Sequence, residues 1–125
     1  MGEHANVALV RHALDAMNRG DMQAAADAIA DDVEWHEIGR SEARHGKAAL
    51  RDTMIGGTAD FEIKVKVHDV IGGDDHTIAL VEATATRGGR TLTYRTAEVF
   101  HVRDGKIAER WAFSDDTATI TAFFA

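Results

Sequence analysis

TYRTAEVFHVRDGKIAERWAF, residues Thr93–Phe113, decides the fold. Two apolar-rich runs flank Asp104-Gly105. That dipeptide favours a two-residue hairpin loop, because both loop positions need positive φ. Gly88-Gly89 is a second such signal, joining HTIALVEATATR to TLTYRTAEVFHVR. Upstream, FEIKVKVHDVI alternates strictly. Phe61, Ile63, Val65 and Val67 fall on one side; Glu62, Lys64, Lys66 and His68 fall on the other. The GGDD turn connects it onward, so residues from Phe61 to Phe113 read as an antiparallel meander.

The two loops set a register. Counting out from Gly88-Gly89, Ala83 faces Tyr94, Glu82 faces Arg95, Val81 faces Thr96 and Ala79 faces Glu98. Counting out from Asp104-Gly105, Val102 faces Ile107, Phe100 faces Glu109, Glu98 faces Trp111 and Thr96 faces Phe113. One face then carries Val81, Leu92, Tyr94, Phe100, Val102, Ile107, Trp111 and Phe113, with Glu98 in its middle. The other carries Ile78, Leu80, Glu82, Arg95, Ala97, Val99, His101, Ala108, Arg110 and Ala112, a flatter surface suited to a subunit interface. Glu82 and Arg95 make a cross-strand ion pair on that surface. The aromatic face should pack on helices, which buries Glu98 beside Trp111. A buried carboxylate must hold a proton or find a partner. A buried acid suits general acid–base chemistry. The plain alternative is a structural hydrogen bond, or a position at the open end in contact with water.

Ahead of the meander, Val7, Val10, Ala13, Leu14 and Met17 recur at helical spacing, with His12 roughly opposite. They predict a helix over about 4–18 that stops at Gly20. Asp21 should cap a second, Ala-rich helix that reaches Ala30. DDVEWHEIG then reads as a strand, with Val33, Trp35 and Glu37 on one face and Glu34, His36 and Ile38 on the other. Gly46–Met54 reads as a short helix, IGGTAD as a loop, and Asp116 as the cap of a last helix, TATITAFFA. Helices followed by a meander make an α+β domain, a single one over residues 1–125.

The net charge of −7 argues against nucleic acid and against anionic membrane surfaces as partners. With no cysteine there is no disulfide and no thiolate chemistry. MGEHANVALVRHAL lacks a basic, then long apolar, leader pattern, and no apolar run reaches membrane-spanning length, so a cytoplasmic location is expected. Seven histidines invite a metal, but none shows i,i+4 spacing with an acidic partner. No metal and no cofactor are expected. The Gly-Gly pairs at 56–57, 72–73 and 88–89 sit in turns and lack the strand-to-helix context of a nucleotide loop.

NRGDMQAAADAIADDVEWHE, the G-K-A-A-L helix and AEVFHVRDGKIAERWAFSDD together resemble the SnoaL-like and ketosteroid-isomerase-like proteins of the nuclear transport factor 2-like superfamily. The resemblance covers nearly the whole chain. It implies a cone-shaped, cystatin-like α+β barrel, a curved antiparallel sheet wrapped around N-terminal helices with a central apolar pocket. It also implies a homodimer through the outer sheet face. Glu98 stands where the isomerases of that family place an acid in the oxyanion hole. Trp35 stands where they place a base Asp, and Ala13 where they place a Tyr, so authentic steroid isomerisation is disfavoured. The limonene-type epoxide hydrolases need an Arg where Thr96-Ala97-Glu98 has none, so that chemistry is disfavoured too. Cyclase-like members use an acid near the end of the last strand, which points to Asp115, although a helix-capping role suits it as well.

Four catalytic candidates result: Glu98 as acid or hydrogen-bond donor, His36 as base, Tyr94 as oxyanion partner, and Asp115. Strict alternation turns His36 away from the pocket, so its role requires a bend in the first strand. Trp35, Phe100, Trp111 and Phe113 are expected to line the pocket around a small apolar or aromatic molecule. The expected activity is cofactor-free proton transfer next to a carbonyl, of isomerase, cyclase or dehydratase type. The alternative is a non-catalytic dimer that binds an apolar ligand or a protein partner.

Overall fold

The computed structural model describes residues 3–39, 41–48 and 61–125. Helix α1, Ala5–Arg19, buries Val7, Val10, Ala13, Leu14 and Ala16 along one face and stops at Gly20, whose φ of 74° is left-handed. Helix α2, Met22–Asp27, starts at Asp21, whose carboxylate accepts the Ala24 N–H at 3.1 Å. It ends before the expected Ala30. The Ala28 carbonyl accepts a hydrogen bond from Ile107 N–H at 2.8 Å, and the buried Ile29 and Ala30 continue as strand. Sheet pairing overrides alanine's helix propensity there.

The strands are β1, Ile29–Trp35; β2, Arg44–His45; β3, Phe61–Gly72; β4, Thr77–Arg87; β5, Arg90–Arg103; and β6, Lys106–Ser114. A final helix, α3, Thr117–Phe124, is capped by Asp116, whose side chain accepts from Thr119 N–H at 3.1 Å. The expected helix over Gly46–Met54 and the loop over 55–60 lie largely outside the described residues.

One sheet holds all six strands in the order β2-β1-β6-β5-β4-β3. The meander pairs antiparallel, as expected; β2, a short strand not expected from the sequence, also pairs antiparallel, but β1 lies parallel to β6, so the sheet is mixed. β1 covers the edge that β6 would otherwise leave open. Helix α1 packs on β3 and β4. The core joins Val10 and Leu14 of α1 to Val33, Trp35, Val81, Phe100 and Ile107 of the sheet. Each such side chain contributes roughly 1.5–3 kcal/mol by leaving water.

Both hairpin loops are the two-residue turns the sequence predicts, with positive φ at Gly88, Gly89, Asp104 and Gly105. The β4–β5 register matches the count from Gly88-Gly89 throughout, including Glu82 opposite Arg95. The β5–β6 register does not. It starts as expected, with Arg103 opposite Lys106 and Val102 opposite Ile107, and then slips by one residue at Ala108. Beyond the slip, His101 faces Glu109, Phe100 faces Arg110, Glu98 faces Ala112 and Thr96 faces Ser114. Ile107 and Ala108 are consecutive and both buried, the mark of a β-bulge. With a side-chain period of two, one extra residue exchanges the faces of all that follow. Arg110 and Ala112 move to the helix-facing side, and Trp111 and Phe113 to the outer side. A second bulge, at His68, restores Val70 to the core.

The sheet's far edge has its own closure. Asn18, in the last turn of α1, donates from Nδ2 to the Val65 carbonyl at 2.6 Å and accepts the Val65 N–H on Oδ1 at 2.9 Å. Its amide occupies the place a neighbouring strand's peptide would take, and so ties α1 to edge strand β3. Replacing Asn18 with Ala strands both groups. The expected loss is about 1–3 kcal/mol in urea denaturation. Amide exchange at Val65 should accelerate selectively, whereas an unchanged rate would mean the contact is not held in solution.

Candidate functional site

The slip at Ala108 brings two charges together on the helix-facing side of the sheet. Glu98 is only 6% exposed. Arg110 reaches it from the neighbouring strand, with Nη2 at 2.6 Å and Nε at 2.9 Å from Oε1. The third arm of the guanidinium, Nη1, donates to the His36 carbonyl at 3.0 Å. Its plane lies over the Trp35 ring at 4.8 Å, a cation–π contact. One arginine thus joins β5, β6 and the end of β1. The partner that Glu98 needs is Arg110, not Trp111. Both hydrogen bonds fall on Oε1, and Oε2 takes none among the described residues. One oxygen is held and the other is left to accept.

Tyr94 lies four residues back along β5, on the same face as Glu98. Burial pushes its phenol above the ordinary value of 10.0. The nearby Glu98 carboxylate pushes the same way, and Arg110 opposes both. Tyr94 therefore keeps its proton at neutral pH and is a hydrogen-bond donor. Thr96, 9% exposed, lies between it and Glu98 on this face. Trp35 and Ala13, which stand where the resembled isomerases carry an Asp and a Tyr, are both buried in the apolar core.

Of the sequence-derived candidates, Glu98, Tyr94, Trp35 and Phe100 share the inner face. Phe100 is 2% exposed and fills the core. The others do not join them. Trp111 and Phe113 face outward because of the bulge, and Phe113 is 61% exposed. His36 follows the inward-facing Trp35, and its ring lies on the outer side with Trp111, while its N–H donates to the Arg110 carbonyl at 2.9 Å. There it stacks on Trp111, with centroids 5.6 Å apart and planes within 6°, and meets Glu109 at 3.1 Å. The bend that would turn His36 inward is absent. Asp115 sits exposed in the bend after β6, and the capping of α3 belongs to Asp116. Arg110 is the residue missed by alternation. The signal for it was the carboxylate itself. Glu98 needs a cation, and a slip of one residue supplies Arg110 from the adjacent strand.

The sequence profile of the SnoaL-like domain matches residues 10–110, and the chain belongs to that family. An uncharacterized protein of Mycobacterium tuberculosis strain H37Rv is 30% identical over 133 residues, covering 100% of both chains. Among solved structures, an NTF2-like protein of unknown function from Burkholderia pseudomallei aligns with a TM-score of 0.83 at 20% identity, over 96% of this chain and 97% of that one. A protein from Xanthomonas campestris assigned as a polyketide cyclase aligns with a TM-score of 0.82 at 20% identity, over 94% and 95%. The fold is NTF2-like. Among the described residues, no helix is long and apolar enough to cross a membrane.

Removing one member of a buried pair costs more than removing both. Arg110→Met should lower stability by about 3–5 kcal/mol in urea denaturation, and adding Glu98→Leu to it should recover most of that loss. Additive losses would show that the two side chains do not pair. The chain has a single tyrosine, so absorbance reports Tyr94 alone. Its titration midpoint should lie above 10.0 in the folded protein. A folded-state pKa above the unfolded one contributes stability that is complete below the unfolded value. That stability is lost as pH rises through the folded value. The resulting loss of stability on the alkaline side should disappear in Tyr94→Phe.

Proposed function

We propose that this chain is a small-molecule enzyme that moves a proton at carbon next to a carbonyl without a cofactor. The observation that carries the reading is the one-sided pairing of Glu98. Arg110 holds Oε1 with two hydrogen bonds, and Oε2 accepts none among the described residues, on the same face as a protonated tyrosine. Glu98 Oε2 takes the proton from carbon, so a C–H bond breaks and its electron pair moves into the enolate. Tyr94 O–H donates a hydrogen bond to the developing enolate oxygen. Glu98 then returns the proton at another position, or the enolate attacks a second carbonyl, which gives isomerisation or cyclisation. For dehydration, the protonated Glu98 gives that proton to a β-hydroxyl as the enolate expels it, so the C–O bond breaks, a C=C bond forms and water leaves; in cyclisation the same proton goes to the new alkoxide. Arg110 and Trp35 position the base. His36 and Asp115 take no part. The structural likeness to a protein assigned as a polyketide cyclase favours flat, polycarbonyl aromatic substrates.

A second reading has its own observation. Two hydrogen bonds from Arg110 to a buried carboxylate also suit a purely structural pair, and the domain is then a non-catalytic binder. Under either reading we propose a homodimer through the outer face, where Ile71, Leu80 and Phe113 are exposed beside Ile78, Val99 and Trp111.

Hydrogen–deuterium exchange at the acidic carbon of β-diketones and aromatic polyketide mimics, followed by NMR, separates the readings. The wild type should accelerate exchange. Glu98→Gln should reduce it about 10²-fold or more with the circular dichroism spectrum kept. Tyr94→Phe should retain the base and lose part of the rate. Ligands that bind without exchange above the solvent rate would establish the binding domain instead.

A further inference from the structure

The outer side of the sheet carries a cluster that the reaction above does not use. β2, β1 and β6 are adjacent, and their register puts His45, Glu34 and Glu109 in one row. His36, two residues on from Glu34, lies on the same face. Glu34, His36 and Glu109 offer ligand atoms that all lie within 4.8 Å of one another. Side by side on neighbouring strands, two carboxylates repel. A lysine or arginine between them would be the ordinary remedy. Among the described residues the groups that reach them are imidazoles instead: His36 Nε2 at 3.1 Å from Glu109 Oε2, and His45 Nδ1 at 3.8 Å from Glu34 Oε1.

We propose that Glu34, His36 and Glu109, completed by His45, bind a divalent transition-metal ion of the zinc type on the outer face of the sheet. The donor set is two carboxylate oxygens and two imidazole nitrogens, which suits a borderline cation. Ligands about 2.0–2.2 Å from a tetrahedral zinc lie roughly 3.3 Å from one another. The His36–Glu109 separation of 3.1 Å is already close to that; His45, 3.8 Å from Glu34, stands outside the group of three and joins it by rotation of its exposed side chain. The His36 ring is fixed by its stack on Trp111, and its backbone is fixed at both ends by Arg110. A search for helical i,i+4 spacing passes over this set, because its ligands are gathered across three strands. The site lies on the opposite side of the sheet from Glu98, so it stands or falls independently of the proposed reaction.

The test is calorimetric titration of the untagged, chelator-treated full chain with zinc chloride, paired with melting curves at each zinc concentration. One ion per chain should bind saturably, and the melting temperature should rise to a plateau as the ion stabilises the folded state. Glu109→Gln and His36→Gln should each weaken binding about 10- to 100-fold or more, and Glu34→Gln should do the same from an exposed position with no effect on folding. His12→Gln, on the far side of α1, should leave binding unchanged. Absence of saturable binding overturns the proposal. So does binding that survives Glu34→Gln and Glu109→Gln intact, which would assign the ion to other histidines.

Discussion

The ion pair between Glu98 and Arg110 is the constraint around which the sheet is arranged. A carboxylate among apolar side chains needs a cation within hydrogen-bond reach, and β6 supplies it only by taking in an extra residue at Ala108. The pair then fixes more than its own two strands. The third arm of Arg110 holds the His36 carbonyl, and its flat face rests on Trp35, so the last turn of β1 is placed by the same side chain. The parallel joint between β1 and β6 has this arginine at its end.

A bulge of one residue also decides which chemistry belongs to which side. Inside are a half-held carboxylate, a protonated phenol and a guanidinium. Outside are Trp111, Phe113, His36 and Glu109, which straight alternation would have divided otherwise. The two sides share no side chain. They share backbone, since His36 gives its carbonyl to the inner arginine and its ring to the outer cluster. Changes on one side therefore reach the other through the path of β1.

Much of the fold was legible because local chemistry determines it. The α1 stripe, the caps at Asp21 and Asp116, the two hairpin loops and the whole β4–β5 register follow from periodicity and turn residues. The burial of Glu98 among the sheet's apolar residues was legible for the same reason. What escaped depends on long-range satisfaction. Period-two counting through Lys106–Phe113 gave Trp111 and Phe113 to the pocket and Arg110 to the surface. The count was right up to Ile107 and wrong beyond Ala108. Nothing in the string IAERW marks a bulge by itself; only the unpaired carboxylate on the next strand demands one. The end of α2 escaped similarly, because the hydrogen bond that stops it comes from Ile107. The parallel insertion of β1 leaves no local signature at all.

That insertion has a consequence for how the chain is made. Arg110 and His36 are 74 residues apart in sequence. On a ribosome, α1, α2 and β1 emerge before the meander and have no sheet to join. The meander from β3 to β5 can zip from its hairpins, which are local contacts that close quickly. β1, with Trp35 at its end, stays without its neighbour until β6 has left the tunnel. Until then the apolar side of β1 and the stripe on α1 are exposed to whatever else is present. The acidic residues Asp31, Asp32 and Glu34 alternate with or border that apolar run. They are well placed to keep an unpaired strand from pairing with the wrong one.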